Sequence, residues 1–420
     1  MTVRRLASAT SAVLALVVLA LVIPPGATTA AAGPGRALAA SGDDCADVTE
    51  TRDKRTVEGE NGPYLDLHVP QARAIASESG RGVTVVVVDS GIGALAERAV
   101  PTGHASPPGL ESGHGLAVAG IVGGPDQQTP RIPVGIAPGA TLVDAPFYDA
   151  PLGEGDETAS RPLASSLATA LRSVASQLES GVLPVRTVVV VPAQVLPSAA
   201  LKKEVRRVVR SGALVVAPAG DRPGDDVEGS PFGDYSGRPE PGEDAVGDVW
   251  PAAEEGVLSV GVADPEARPF LLRNSGVDLA APAAGSVTAA RDGGWCVVST
   301  PSTHWSAAQV AGVAALVWSH HPSDSAAAVR ARLLDTATGN GGPSSPVTGH
   351  GVVQPVEALQ RRAEGGAGMD EADVVERAKP PAERQDLLAD TRRDAVWWGL
   401  AGGGALVVLV VLRPVLARRR

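Results

Sequence analysis

Three side chains are placed where acid–base chemistry is done. Asp89 follows the apolar run Val85, Val86, Val87, Val88, which puts a carboxylate at the C-terminal end of a buried strand, where open α/β sheets display their sites. His114 opens a stretch of small and apolar residues ending at Val122, and an imidazole at the start of such a helix is exposed enough to serve as a base. His304 stands near the start of a second stretch of this kind, which runs to Val317. Each residue also has a plain reading. An aspartate that ends a strand often only caps the next turn, and a lone histidine is weak evidence of function.

The elements that must position these groups follow from the pattern between residues 82 and about 359. Short β-branched runs at 83–88, 141–145, 185–191, 213–217 and 257–262 alternate with helical segments, which predicts an α/β fold with a parallel sheet covered by helices. The runs are apolar throughout, as expected of strands buried on both faces. Helical composition covers 159–180 and 198–211. In the second of these, Lys202, Lys203, Arg206, Arg207 and Arg210 read as a solvated face. Residues 220–249, rich in Gly, Pro and Asp, read as a long loop.

With 420 residues and 44% hydrophobic composition the chain can bury one large core and still carry terminal appendages. A formal charge of -11, with no Lys/Arg stripe in the globular part, argues against a nucleic-acid partner. Nothing in the sequence calls for a cofactor. Arg4 and Arg5, an apolar stretch and then small residues give 1–32 the form of an export signal. At the other end, 395–412 is uncharged and apolar, close to the roughly 20 residues that cross a bilayer. Trp397 and Trp398 suit an interface, and the arginines of the 413–420 tail favour a cytoplasmic C-terminus. The expected organisation is a signal peptide (1–32), an arm (33–81), the main domain (82–361), a charged linker (362–394), one transmembrane helix (395–412) and a basic tail (413–420). The protein is expected in the cell membrane as a single-pass chain, its globular part extracytoplasmic. Cys45 and Cys296 are the only cysteines, and an exported chain permits them to pair; two free thiols is the alternative.

Several motifs together resemble the subtilases. Asp89-Ser90-Gly91 is similar to their D-[ST]-G motif and His114-Gly115-Leu116-Ala117-Val118-Ala119-Gly120-Ile121 to H-G-T-x-V-A-G-I, with Leu116 in place of Thr. The 302–317 stretch resembles the nucleophile helix G-T-S-x-A-A-x-x-V-A-G-V-A-A-L-V. Supporting segments are Val134-Gly135-Ile136-Ala137-Pro138, Val257-Leu258-Ser259-Val260-Gly261 and Asn274-Ser275-Gly276 through Pro282. The ordered set is far more specific than any member. It implies a subtilisin-like three-layer fold with a mostly parallel central sheet between helices. With the export signal, arm and C-terminal anchor, the chain is similar to the mycosins, the membrane-anchored subtilases of type VII secretion systems, and this resemblance implies a type VII secretion membrane complex as partner.

The same resemblance exposes three departures. In a working triad Asp89 would orient His114, and His114 would take a proton from a serine; His304 occupies that serine's position. Asp221 occupies the position of the oxyanion Asn, where losing one donor costs on the order of 10²–10³ in rate. Pro192 removes a backbone donor from the strand that pairs with substrate. Ser302 and Ser306 lie two residues to either side of His304, and two helical steps turn a side chain by about 200°, so Ser306 faces away and Ser302 reads as a cap. The leading expectation is a pseudoprotease retained as a structural or binding component. The alternatives are an active serine endopeptidase of unusual geometry and a metal-binding module in which His114, His304 and Asp221 hold zinc, with Asp89 behind His114.

Overall fold

The computed structural model describes residues 40–361, apart from breaks at 50–53, 78, 105–108, 153–155, 225–228 and 340–343, together with residues 397–398, 403–406, 408, 410 and 412–413. Two helices, α1 (Gly62–Asp66) and α2 (Val69–Ile75), precede β1 (Thr84–Val87) and the short β2 (Arg98–Ala99). Then come α3 (His114–Gly123), a small hairpin of β3 (Gln127–Gln128) and β4 (Arg131–Ile132), β5 (Thr141–Asp144), α4 (Ala164–Glu179), β6 (Thr187–Val190), α5 (Ala199–Arg210) and β7 (Leu214–Pro218). The chain closes with β8 (Leu258–Val262), β9 (Leu279–Ala281), the hairpin β10 (Ser286–Ala289) and β11 (Trp295–Val298), and helices α6 (Thr303–His320), α7 (Ala326–Asp335) and α8 (Pro355–Gln360).

Among the described residues seven strands form one sheet in the order β2-β5-β1-β6-β7-β8-β9, and every pairing in it is parallel. Alternation along the strands explains why the runs are apolar throughout. Val85 and Val87 join a core with α3 and α6, whereas Val86 and Val88 join a second core with α4 and α5 on the other face. The result is the expected three-layer α/β arrangement. β1 lies between β5 and β6, so the chain departs from it in both directions. Open α/β sheets bind and react at the carboxyl edge of such a switch point, and Asp89 lies two residues past the end of β1.

Helix α6 runs through the core. Of its 18 residues, 15 are buried, and the exceptions are His304, Trp305 and His320. Small residues permit this depth. A Cβ on Gly120 of α3 would stand 2.1 Å from Thr288 Oγ1, and Thr288 uses that hydroxyl to donate to the Ala117 carbonyl at 2.6 Å.

The segment before β1 is well integrated. Tyr64, Leu67, Val69 and Ala72 of α1, α2 and their link are buried in the core shared with α6. Further upstream, Asp44 bridges Val297 in parallel with β11, and Cys45 is bonded to Cys296 with 5.0 Å between Cα atoms. Helix α4 begins later than its composition suggests, at Ala164, because Pro162 precedes its cap Leu163.

Residues 364–420 form a separate unit. Among the described residues no helix is long and apolar enough to cross a membrane. The expected signal peptide (1–32), linker (362–394), much of the expected transmembrane helix (395–412) and the tail beyond Arg413 lie outside the described residues.

Candidate active site

Asp89 is fully buried and holds four contacts. Its carboxylate accepts from the Ser90 amide at 2.6 Å and from the Tyr148 hydroxyl at 2.9 Å, and His114 Nδ1 lies 2.9 and 3.0 Å from its two oxygens. Burial alone would raise the Asp89 pKa; the His114 charge and the hydrogen bonds from His114, Ser90 and Tyr148 outweigh it and hold the carboxyl below its usual range. Asp89 is therefore ionised and fixes a proton on His114 Nδ1. Gly115 makes the approach possible, since a Cβ there would stand 2.6 Å from the Gly91 carbonyl and 3.0 Å from Asp89 Oδ1. Ser112 Oγ accepts from the His114 amide at 3.1 Å and so serves the start of α3, which Gly113 cannot cap with a side chain.

His304 meets His114 directly. His114 Nε2 and His304 Nδ1 are 3.2 Å apart, and the rings stand edge to face, 89° between planes. Trp305 lies against the same imidazole, its ring centroid 4.7 Å away. The other nitrogen of His304, Nε2, is buried without a hydrogen-bond partner among the described residues and lies 3.8 Å from Asp221 Oδ2. Burial pulls the His304 pKa down to about 4, helped by repulsion from His114 and opposed by Asp221 and Asp89.

Asp221 departs from expectation in what its carboxylate does. It caps α6: Oδ1 accepts from the Thr303 amide at 2.8 Å and from Thr303 Oγ1 at 2.7 Å, and Oδ2 accepts from Ser302 Oγ. A fixed negative charge thus sits on the positive end of the helix dipole, where a hydrolase of this geometry would need to receive an oxyanion. The backbone of Asp221 is held as well. Its amide donates to Gln194 Oε1 at 2.6 Å, and Gln194 Nε2 donates to its carbonyl at 2.8 Å. Gln194 thereby ties the segment after Pro192 across to the Asp221 loop, while Val195 exchanges two 3.0 Å bonds with Trp250.

The structure brings Asp89, His114, His304 and Asp221 into one row, and this arrangement adds no converging ligand geometry to the metal-binding alternative. Zinc needs ligand atoms converging on one point, but His304 gives one nitrogen to His114 and turns the other toward Asp221, whose oxygens are engaged by α6. Among the described residues no group of three or more His, Cys, Asp or Glu could hold a metal ion. Both neighbouring serines are engaged away from His114 Nε2. Ser302 caps α6, accepting from the His304 amide at 3.0 Å, and Ser306 is buried and donates to the Ala281 carbonyl at 2.8 Å.

The sequence carries this constellation on a known scaffold. Residues 80–352 match the subtilase family. The chain belongs to that family. Among curated relatives, Mycosin-3 of Mycobacterium tuberculosis is 29% identical over 383 residues, covering 81% of this chain and 80% of the relative. Mycosin-1 of Mycolicibacterium smegmatis is 29% identical over 70% of this chain and 71% of its own length. Among solved structures, that of MycP3 protease from the type VII (ESX-3) secretion system superposes with a TM-score of 0.56 at 26% identity, covering 78% of this chain and 94% of that one. The chain is thus a mycosin-like subtilase.

Four residues of this subtilase site have roles that the motifs do not announce. Tyr148 is 1% exposed and shares Asp89 with His114; the one signal was a tyrosine just past a buried strand in a chain with only three. Gln194, Thr303 and Trp305 gave no signal beyond their positions beside motif residues. Two cavities flank the row. One of about 420 Å³, lined by Leu163, Ala193, Phe232 and Asp221 among others, reaches His304. Another of about 530 Å³ reaches His114 and is bordered by residues 44–46, so the disulfide-held arm forms one wall of the site.

Proposed function

We propose that this mycosin-like subtilase has lost hydrolysis and acts as a structural or binding component of a type VII secretion membrane complex, held at the outer face of the membrane by its C-terminal segment. The observation that carries the first part is the pair of occupied positions. His114 Nε2 faces an imidazole at 3.2 Å instead of a hydroxyl, and the Asp221 carboxylate fills the helix N-terminus that would stabilise an oxyanion. A general base without a nucleophile and an anion in the anion site leave neither step of acyl transfer available. The active-endopeptidase alternative has no geometric support, because both nearby serines are committed elsewhere. The apolar cavity beside His304 remains and offers a partner a place to insert a side chain, while the Gln194 tie and Pro192 disfavour pairing with an extended backbone.

The secretion role rests on the mycosin relatives and on MycP3 of the ESX-3 system. The 1–32 export signal and the 395–412 anchor belong to the same reading. Two experiments test it. A fluorophosphonate probe applied to the full chain is expected to give no labelling, and stoichiometric labelling that depends on His114 would sink the pseudoprotease reading. Affinity purification of the tagged chain from its native membrane is expected to bring down a type VII secretion complex, and recovery of the chain alone after mild solubilisation would overturn the assignment of that partner.

A further inference from the structure

The row Asp89, His114, His304, Asp221 has four ring nitrogens, and the carboxylates at its two ends favour one number of protons on them. His114 Nδ1 carries a proton, because it lies within 3.0 Å of both oxygens of an ionised, fully buried carboxylate. The 3.2 Å gap between His114 Nε2 and His304 Nδ1 requires one proton between two lone pairs. If the pair is neutral, its second proton either fills that gap or sits on His304 Nε2. In the first case the Nε2 lone pair stands 3.8 Å from the Asp221 carboxylate, lone pair against negative charge. In the second, two lone pairs face each other at hydrogen-bonding distance. One further proton relieves both: His114 then donates at both nitrogens, His304 accepts at Nδ1, and His304 Nε2–H turns its positive end toward Asp221 at 3.8 Å, a charge contact beyond hydrogen-bonding distance; Asp89, closer and touching with both oxygens, draws the charge to His114.

We infer that His304 locks His114 as a standing imidazolium, so that the two histidines hold one proton in common between two carboxylates. The charged groups around them favour that state. Asp89 and Asp221 close the row at either end, and Asp144, whose pKa burial and Asp89 push up to about 6, lies on the Asp89 side. Asp44, Glu111 and Arg291 border the cavity at His114, and Arg291 donates to the Leu110 carbonyl. Arg161 and Arg222 border the cavity at His304; the first donates to the Pro151 and Asp156 carbonyls and the second is paired with Glu243. A second added proton would place two cations 3.2 Å apart, consistent with His304 being pulled down to about 4.

The consequence is a base that is already occupied. His114 cannot accept a proton, which silences the site independently of the missing serine. The inference deepens the pseudoprotease reading and rests on it for its meaning, but its test reads protonation and not turnover, so each can fail alone. Proton linkage gives a further signature. In the unfolded chain two free imidazoles hold one proton in total at about pH 6.5, which equals the folded pair's count. Below that pH the unfolded chain binds more protons, and stability falls as pH drops toward about 4; above it the folded pair binds more, and stability falls as pH rises. The pair's contribution therefore peaks near pH 6.5.

The test is long-range proton–nitrogen NMR of the full chain labelled at histidine. At about pH 7.5, a unit above the ordinary imidazole pKa of about 6.5, one ring is expected with both nitrogens in the protonated range, assigned to His114 by its loss in His114→Gln. In His304→Ala that ring is expected to become neutral at the same pH. Two neutral rings in the wild type, an imidazolium assigned to His304, or an imidazolium unchanged in His304→Ala would each overturn the inference. If His304→Ala does not fold, the wild-type spectrum decides alone.

Discussion

Replacing Asp221 with alanine tests whether this residue, which stands where the resembled motif carries Asn, is a structural cap. The side chain accepts three hydrogen bonds from the cap and first residue of α6: the Thr303 amide, Thr303 Oγ1 and Ser302 Oγ. Bonds to a charged acceptor contribute about 1.5–3 kcal/mol each, and a buried donor left unpaired costs about 1–3 kcal/mol. The losses do not add in full. Asp221 is 21% exposed, so water can enter in its place, and Ser302 keeps the His304 amide as a donor to its oxygen. Thr303, however, is 1% exposed and loses partners for both its amide and its hydroxyl. The net cost expected for Asp221→Ala is about 2–4 kcal/mol, which for a domain of this size lowers Tm by roughly 3–7 °C. Asp221→Asn keeps one acceptor and loses the charge, so it should fall between. Urea unfolding followed by circular dichroism measures both, and an unchanged slope with a shifted midpoint identifies a stability effect. Asp221→Ala within about 0.5 kcal/mol of wild type, the scatter of ordinary surface changes, or Asn as stable as Asp, would refute the argument that the carboxylate holds α6.

Three further outcomes follow from the same geometry. His304→Ser alone should yield no peptide hydrolysis and no fluorophosphonate labelling, because the Asp221 carboxylate still occupies the oxyanion position, a defect worth at least 10²–10³ in rate on the scale of about one lost donor; robust turnover would show that the Asp221 loop rearranges. Cys45→Ser should destabilise the chain by roughly 5–6 kcal/mol on the chain-entropy scale, since the bond spans 251 residues, and equal melting of oxidised and reduced protein would contradict this. Asp144→Asn should stabilise the fold by up to about 3 kcal/mol at neutral pH, where wild type must ionise a mostly buried carboxyl. The folded pKa is raised to about 6, so the unfolded chain releases its proton first as pH rises; the benefit should vanish below the ordinary carboxylate pKa, and a pH-independent difference would point to packing instead.

The fold and the motif residues could be read in the sequence because each rests on a local pattern. Alternation within Val85–Val88 commits both faces of β1 to apolar layers whatever lies beyond them, and Gly115 and Gly120 state in advance that backbones approach closely there. The strand-ending position of Asp89 and the helix-opening position of His114 are local facts too, and so are the residue types at 304 and 221. The function of those two replacements was not local. Whether His304 fills a cavity, binds zinc or joins His114 depends on ring orientation, set by the packing of α6 across α3 and by Asp221 arriving from the end of β7. Residue type at 221 announced a negative charge in the oxyanion position; only the tertiary structure turned it onto the N-terminus of α6. Tyr148, Gln194 and Trp305 were unreadable for the same reason, since each acts on a motif residue tens of positions away, at Asp89, Asp221 and His114. Sequence alone determined which groups are present at the carboxyl edge of the sheet. Tertiary structure decided which atoms face one another across 3 Å, and at that range hydrogen-bond direction and proton count, not residue identity, determine what the site can do.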